Sequence, residues 1–277
     1  MELELDPRQR AMLLEMGVRV WLPDTGVVAD TPVAQPVAAP VSRTPPAPVV
    51  AATSAAARPV ADVSQAPAVA RALPGEPLAL QSLDWEALAA SAAACQACGL
   101  CTGRKHSTLC DPGQTIQADW MVVGDPPDED EDRLGQPFAE QAGVLLDNML
   151  KAVGASRSGQ ARQGAYLSNV VKCRPPVGRV PQGADLAQCA QFLQREIALV
   201  RPKVILAVGR FATQLLLQEH PEQAALPLGK QRGTVYRYQG IPVVVSYHPK
   251  VLLRASADKA KAWADLCLAL DLLEASA

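Results

Sequence analysis

The sequence is poor in aromatic residues, has almost no net charge and contains no long apolar run. Phe, Trp and Tyr make up only 4% of its 277 residues while Ala and Pro are abundant, which indicates that part of the chain lies outside a packed core. The formal net charge is −2, so any DNA binding has to rest on a local basic patch rather than on an overall basic field. No apolar stretch reaches the ~18 residues of a membrane span, so we expect no membrane association.

The chain opens with the charged segment MELELDPRQR, where a secretory signal would carry an apolar region. We therefore expect a cytoplasmic protein. Because reducing compartments disfavour structural disulfides, a set of metal or cluster ligands is the better interpretation of the seven cysteines.

Composition divides the chain into three parts. Residues 1–23 combine a short helical pattern with an extended piece, and they form either a frayed terminal helix or a small docking element. Residues 24–80 are rich in Ala, Pro, Val, Thr and Ser without periodicity, which predicts a disordered linker. Residues 81–277 show the apolar periodicity of one globular domain.

Within that domain, the short apolar segments DWMVVG, AYLSNVV, KVILAVG and IPVVVSY alternate with amphipathic helical patterns. This alternation predicts an α/β fold, namely a three-layer α/β/α sandwich with a central, mostly parallel, four-stranded sheet. Ligands of such sheets bind beyond the carboxyl ends of the strands, and the polar motifs of this sequence directly follow the apolar segments. The sequence therefore predicts a functional site at that edge of the sheet.

The cysteines have the spacing of a ligand set. Cys95 and Cys98 form a CxxC pair, and Cys173 and Cys189 follow far downstream as single cysteines. Thiolates with such spacing hold zinc or an iron–sulfur cluster, and the spacing alone favours the two equally. Cys101 extends the pair to CxxCxxC and is a further candidate ligand.

Three polar motifs occur in a fixed order along the domain: GDPPDEDEDRLGQPFAEQAG, YLSNVVKCRPP and SYHPKVLLR. Together with the cysteines they resemble the family-four uracil-DNA glycosylases, the iron–sulfur branch of the uracil glycosylase superfamily, over roughly residues 94–273. The resemblance implies a uracil-DNA glycosylase-like fold and a DNA repair hydrolase that releases uracil and leaves an abasic site, as in base excision repair. It also implies a structural [4Fe–4S] cluster held by Cys95, Cys98, Cys173 and Cys189.

The resemblance also implies roles for individual residues. Asp125 stands where the family carries a glutamate, and its carboxylate would orient water and stabilise the oxocarbenium charge. Asn169 would pair with the uracil edge, and His248 would donate a hydrogen bond to uracil O2 as the anion forms. The other residues expected at the substrate are Gly124, Pro127, Glu131 and Phe138, the last by stacking on uracil. Those expected to contact DNA are Lys172, Arg174, Lys250 and Arg254.

Three positions depart from the family pattern. Asp128 and Glu140 replace glycines, and Lys250 replaces a small residue. Acidic side chains close to the DNA phosphates would oppose DNA binding. The alternative for Asp128 is that it belongs to a solvated acidic loop and has no functional effect. A second hypothesis therefore stays open, that of a catalytically weak or inactive glycosylase-fold protein that binds DNA. An adaptor that tethers a replication or repair partner through residues 1–23 is compatible with either hypothesis, and we expect a monomer acting on uracil-containing DNA.

Overall fold

The structure is a computed structural model, and it describes Met12, residues 80–109 and residues 117–276. The predicted docking element at 1–23 and the predicted linker at 24–80 lie outside the described residues, apart from Met12 and residue 80. Both therefore stay predictions. Every helix in the described part of the chain is too short or too polar to cross a membrane.

A five-stranded sheet forms the centre of the described domain. Its strands are β1 Ala118–Gly124, β2 Ala161–Asn169, β3 Val204–Val208, β4 Val235–Tyr238 and β5 Ile241–Ser246. They lie in the order β2-β1-β3-β5-β4, and all neighbours are parallel except the antiparallel pair β4 and β5. The predicted α/β class with a mostly parallel sheet is confirmed.

The predicted number of four strands was wrong because β4 was missed. Its sequence, VYRY, alternates exposed and buried residues and contains no continuous apolar run. The strand forms because a turn of Gln239 and Gly240 folds it back onto β5 as a hairpin at the sheet edge. An antiparallel edge strand on an otherwise parallel sheet is a common arrangement.

The helices cover both faces of the sheet. They are α1 Trp85–Ala94, α2 Glu129–Leu134, α3 Glu140–Ala152, α4 Gly183–Val200, α5 Arg210–Leu216, α6 Pro221–Ala224, α7 Leu228–Gln231, α8 Pro249–Arg254 and α9 Lys259–Ala275, with 3₁₀ turns at Gly99–Gly103 and Ser256–Asp258. Apolar side chains of α1, α4 and α5 pack with one face of β1 and β3, and those of α3 and α9 pack with the other. This is the predicted three-layer arrangement.

The sheet brings three polar motifs to one edge. Gly124 at the end of β1 pairs with Asn169 at the end of β2 and with Val208 at the end of β3. Val208 in turn pairs with Ser246 at the end of β5. The parallel strands therefore end side by side, and the residues that follow them meet at this edge.

Candidate active site

Asp125 leaves β1 and is held by the start of α5. Its Oδ1 accepts hydrogen bonds from the backbone N–H groups of Phe211, at 2.7 Å, and Ala212, at 3.4 Å. Gly209, with a φ of 104°, precedes this helix, and a Cβ at that position would overlap the Asp125 carboxylate. Burial raises the pKa of the Asp125 carboxyl, and the helix amides only partly oppose that effect. The carboxylate is thus fixed in position at the strand edge.

Asn169, at the end of β2, has its amide nitrogen occupied and its amide oxygen unpartnered. The Nδ2 donates to the carbonyl oxygen of Asp125 at 2.9 Å and to Oε1 of Glu131 at 3.2 Å. The Oδ1 is buried, and no hydrogen-bond donor reaches it within the described residues. A buried acceptor without a donor costs about 1–3 kcal/mol, which an N–H group of a ligand would offset.

Glu131 links the motifs to one another. Its Oε1 accepts from the backbone N–H of Phe138 at 2.6 Å as well as from Asn169, and its Oε2 accepts from the backbone N–H of Asp128 at 2.9 Å and from Nζ of Lys250 at 3.0 Å. Four protein donors therefore occupy a carboxylate that is almost completely buried. Contact of Glu131 with substrate stays a prediction, and in this structure protein donors already use its acceptor sites. Pro127 is buried in the same loop.

Phe138 lies beside His248 at the base of the site. The two ring centroids are 5.5 Å apart and the rings are inclined by 20°, in a stacked arrangement. A Cβ at Gly124 would overlap the Phe138 ring, so the glycine permits this close approach. The Phe138 side chain is only 2% exposed, and its backbone has a φ of 53°. Stacking on uracil stays a prediction, and it requires a face of this ring to be uncovered when a base enters.

His248 is a neutral imidazole with a defined tautomer. It precedes α8, and its Nδ1 accepts a hydrogen bond from the backbone N–H of Lys250 at 3.2 Å. Burial, assisted by the Lys250 charge and opposed by Asp128, lowers the pKa of His248 to about 3. Because Nδ1 accepts, the single proton of the neutral ring resides on Nε2, which is therefore a hydrogen-bond donor.

Two of the departures from the family pattern contact each other. The Lys250 ammonium forms an ion pair with Asp128 and a second one with Glu131. Asp128 also caps α2 by accepting from the Glu131 N–H at 2.9 Å, so it does not belong to a merely solvated loop. Burial tends to raise the pKa of Asp128, but the Glu131 N–H and Lys250 outweigh burial and lower it.

The third departure is strained. Glu140 has a φ of 52°, in the left-handed region that favours glycine, and it forms an exposed ion pair with Arg133 at 3.0 Å. The glycine expected at this position would adopt the same backbone conformation without that cost.

The cations predicted to contact DNA are mostly paired with acids. Lys172 is a correction: its side chain is 1% exposed and its ammonium is fully used inside the protein, so it cannot reach a phosphate. Lys250 is paired as described, and Arg174 lies 3.4 Å from a carboxylate oxygen of Glu129. Arg254 is exposed at the end of α8.

Sequence reasoning missed two exposed apolar side chains beside the site. Val251 and Leu253 project from α8, which follows His248, and both are largely solvent-accessible. The signal in the sequence was the motif SYHPKVLLR, in which Val251 and Leu253 flank Leu252, and Leu252 is buried. Apolar side chains at such a position are suited to enter a base stack when a nucleotide is flipped.

The four predicted cysteine ligands line one recess. Cys95 and Cys98 come from the segment after α1, Cys173 follows β2 and Cys189 lies on α4, while Cys101 lines the same recess. Burial raises the pKa of the Cys173 thiol to about 11, and it also raises the pKa values of Cys98 and Cys189.

Two N–H donors point at sulfur atoms of this recess. The Arg104 guanidinium donates to Sγ of Cys173 at 3.3 Å, and the Lys172 backbone N–H donates to Sγ of Cys189 at 3.3 Å. Across residues 80–109 and 117–276, no three His, Cys, Asp or Glu side chains gather around a position for one metal ion.

The fold and the site are those of the uracil DNA glycosylase superfamily, whose family model matches residues 111–267, and the chain belongs to this superfamily. Its similarity is to the type-4 branch. The type-4 uracil-DNA glycosylases of Archaeoglobus fulgidus and Thermotoga maritima are each 34% identical to the chain over 161 residues, which cover 56% and 58% of this chain and 78% of either relative. The type-4 uracil-DNA glycosylase of Pyrobaculum aerophilum is 32% identical over 176 residues, or 62% of this chain and 87% of that protein. The resemblance drawn from the three motifs is confirmed.

Proposed function

We propose that the chain hydrolyses the N-glycosidic bond of deoxyuridine in DNA, releasing uracil and leaving an abasic site for base excision repair. The observation that carries this proposal is the unpartnered Oδ1 of Asn169, an acceptor in the same site as the Nε2–H donor of His248. Uracil presents an N3–H donor next to its O2 acceptor. The relatives named as type-4 uracil-DNA glycosylases support the same function.

Asn169 distinguishes uracil from cytosine in this proposal. Its Nδ2 protons are already donated to Asp125 and Glu131, so the amide cannot rotate to offer a donor without losing both contacts. Cytosine carries an acceptor at N3, and it would leave the Asn169 oxygen opposite another lone pair. Sites built to hydrogen-bond one polar group discriminate strongly against ligands that lack it. Because Nδ2 is occupied, recognition of uracil O4 falls to a group other than Asn169.

His248 stabilises the leaving group. The departing uracil is an anion, and negative charge develops on O2 as the glycosidic bond breaks. A preorganised donor placed where charge develops lowers the barrier most, and typical losses on removing such a donor are about 10²–10³-fold. Because burial keeps His248 uncharged, it donates Nε2–H as a neutral imidazole and does not release a proton.

Asp125 acts on the sugar side of the bond. Its carboxylate, fixed by the amides of α5, orients a water molecule toward the anomeric carbon and stabilises the positive charge that develops there. Water is the nucleophile, and the mechanism requires no covalent intermediate. The extrahelical base reaches this site after flipping, with Phe138 as its stacking surface.

We further propose that Cys95, Cys98, Cys173 and Cys189 hold a [4Fe–4S] cluster. The donor set fits, since the recess is lined by these thiols and N–H donors already point at two of the sulfur atoms. When bound, the cluster supplies a cross-link between the segment after α1, the loop after β2 and α4.

The second hypothesis, a DNA-binding protein with weak or no activity, is favoured by one observation. Glu140, which stands where the family carries a glycine, has a φ of 52° two residues after Phe138, so the backbone beside the proposed stacking residue is strained. The two hypotheses differ in uracil release and not in DNA binding.

The test is a gel assay on single- and double-stranded oligonucleotides with one uracil, cleaved at abasic sites by alkali, with cytosine in the matched control. Wild type is expected to release uracil. His248→Ala is expected to lose on the order of 10²-fold in rate, and Asp125→Asn is expected to lower the rate with little change in DNA affinity. Asp271→Asn, an exposed change on α9, is the control. Binding without any uracil release from wild type would establish the second hypothesis.

A further inference from the structure

Lys172 lies between the cysteine recess and the strand end that carries Asn169. It lines the recess, and its backbone N–H donates to Sγ of Cys189 at 3.3 Å. Its backbone carbonyl accepts from the Thr108 N–H at 3.1 Å. The residue is thus tied to the recess by its main chain, while its ammonium binds acceptors on β2 and α4.

The Lys172 ammonium is fully satisfied by buried acceptors. It donates to Oε2 of Glu196 at 2.5 Å, to Oγ of Ser168 at 2.6 Å and to the carbonyl oxygen of Asn169 at 2.8 Å. Glu196 also accepts from the Tyr166 hydroxyl at 2.8 Å and from Ser168 at 3.0 Å. An ammonium has three donors, and each has an acceptor here. The result is a closed buried network around the main chain of Asn169.

One helix carries both a recess thiol and the acid that holds this network. Cys189 and Glu196 are seven residues apart on α4, which is two turns and therefore the same side of the helix. Cys173 follows Lys172 directly in the chain. A displacement of α4 relative to β2 would change the recess and the Lys172–Glu196 contact together.

We propose that Lys172 is a positioning residue that couples the packing of the cysteine recess to the orientation of Asn169. This role of Lys172 rests on the proposed function, in which Asn169 is the acceptor for uracil N3–H. Glu131 fixes the Asn169 side chain from one side, and Lys172 fixes its main chain from the other. Without Lys172 the main chain that carries the amide loses one of its anchors, and uracil binds a less ordered acceptor.

The test uses the double variant Lys172→Met with Glu196→Gln, which removes both charges so that neither is left buried alone. The matched control is Lys203→Met, whose ammonium pairs with Asp119 at 2.8 Å on the surface. Inhibition by free uracil and kcat/KM on the uracil oligonucleotide are measured for both. We expect the double variant to bind free uracil about tenfold more weakly or worse and to lose a similar or larger factor in kcat/KM. The control is expected to match wild type.

A second readout does not depend on activity. Solvent exchange of the Asn169 side-chain amide protons, assigned by NMR with an Asn169→Asp variant, reports how firmly the amide is held. We expect exchange in the double variant to be on the order of tenfold faster than in wild type or in Lys203→Met. A folded double variant with wild-type uracil inhibition and wild-type amide exchange overturns the proposal, because the pair would then serve stability alone.

The milder variant Tyr166→Phe covers the case in which the double variant does not fold. It removes one hydrogen bond to Glu196 without changing charge, and we expect weaker uracil inhibition and faster Asn169 amide exchange in the same direction. Unchanged values for a folded Tyr166→Phe together with an unfolded double variant also overturn the proposal. If wild type releases no uracil, the proposed function fails, while amide exchange still decides whether Lys172 orders Asn169.

Discussion

His248 is expected to remain uncharged across the whole pH range in which a DNA glycosylase is assayed. Its side chain is 6% exposed, its Nδ1 accepts from a backbone N–H, and the Lys250 cation lies nearby. Burial is the largest cause of the lowered pKa of about 3, and the charge of Asp128 opposes it. The prediction is tested by lowering the pH from 8 to 5 and comparing the response of wild type with that of His248→Gln.

The sign of the effect follows from proton binding. An unfolded histidine has a pKa near ~6.5, and this one is depressed on folding, so the folded protein binds fewer protons than the unfolded chain at acid pH. The stability that His248 contributes is therefore complete above about pH 6.5 and is lost progressively as the pH falls toward 3. At pH 5 the loss is about 2 kcal/mol, which is 1.5 pH units at ~1.36 kcal/mol each.

Two measurements check this prediction. In an NMR titration, the His248 imidazole signal is assigned as the one that is absent from the His248→Gln spectrum. Its chemical shifts should remain those of a neutral ring protonated at Nε2 from pH 8 to 5. In thermal unfolding, wild type should lose about 2 kcal/mol more stability than His248→Gln between pH 7 and 5, since glutamine does not titrate. An imidazole signal that titrates between pH 5 and 7 would refute the neutral-donor mechanism.

Three further predictions follow from the pairing of charges and thiols. Lys250→Ser should lower the free energy of unfolding by about 1–3 kcal/mol because it leaves Asp128 and Glu131 unpaired. In a double-mutant cycle, adding Asp128→Gly should recover part of that loss, whereas additive effects would show that the two side chains act independently. Cys173→Ala should bleach the broad absorbance near ~400 nm of anaerobically purified protein, whereas Cys101→Ala should retain it; zinc without iron in wild type would contradict the cluster. Arg254→Ala should reduce the salt dependence of binding to double-stranded DNA by a slope of about 0.9, and an unchanged slope would place Arg254 off the phosphate path.

The strands could be predicted because burial on both faces of a parallel sheet leaves a continuous apolar run. The runs around Val122 and Leu206 are completely buried, and each was identified from sequence. The edge strand β4 could not be predicted, because only Tyr236 and Tyr238 of its four residues are buried. Its pairing with β5 depends on the turn between the two strands. The short helices α2 and α8 were not predicted either, because six residues are too few to show a helical periodicity of apolar positions.

The partners of charged side chains could not be predicted at all. Lys172 looks like a surface cation in the sequence, and only the fold places Glu196, 24 positions later, against its ammonium. Lys250 and Glu131 are 119 positions apart, and they meet because β1 and β5 end at the same edge of the sheet. The sequence motifs predicted which strand ends carry the candidate site, but whether a lysine faces DNA or an internal carboxylate depends on long-range packing.

These two ion pairs hold Asn169 between them, one through its side chain and the other through its main chain. Glu131, paired with Lys250, accepts from the Asn169 amide nitrogen, and Glu196, paired with Lys172, holds the ammonium that donates to the Asn169 carbonyl. One pair reaches Asn169 from the loop after β1 and the other from α4. In the proposed mechanism the cations of this site act on the base through Asn169, whose side-chain oxygen has no donor within the described residues and is the acceptor proposed for uracil N3–H.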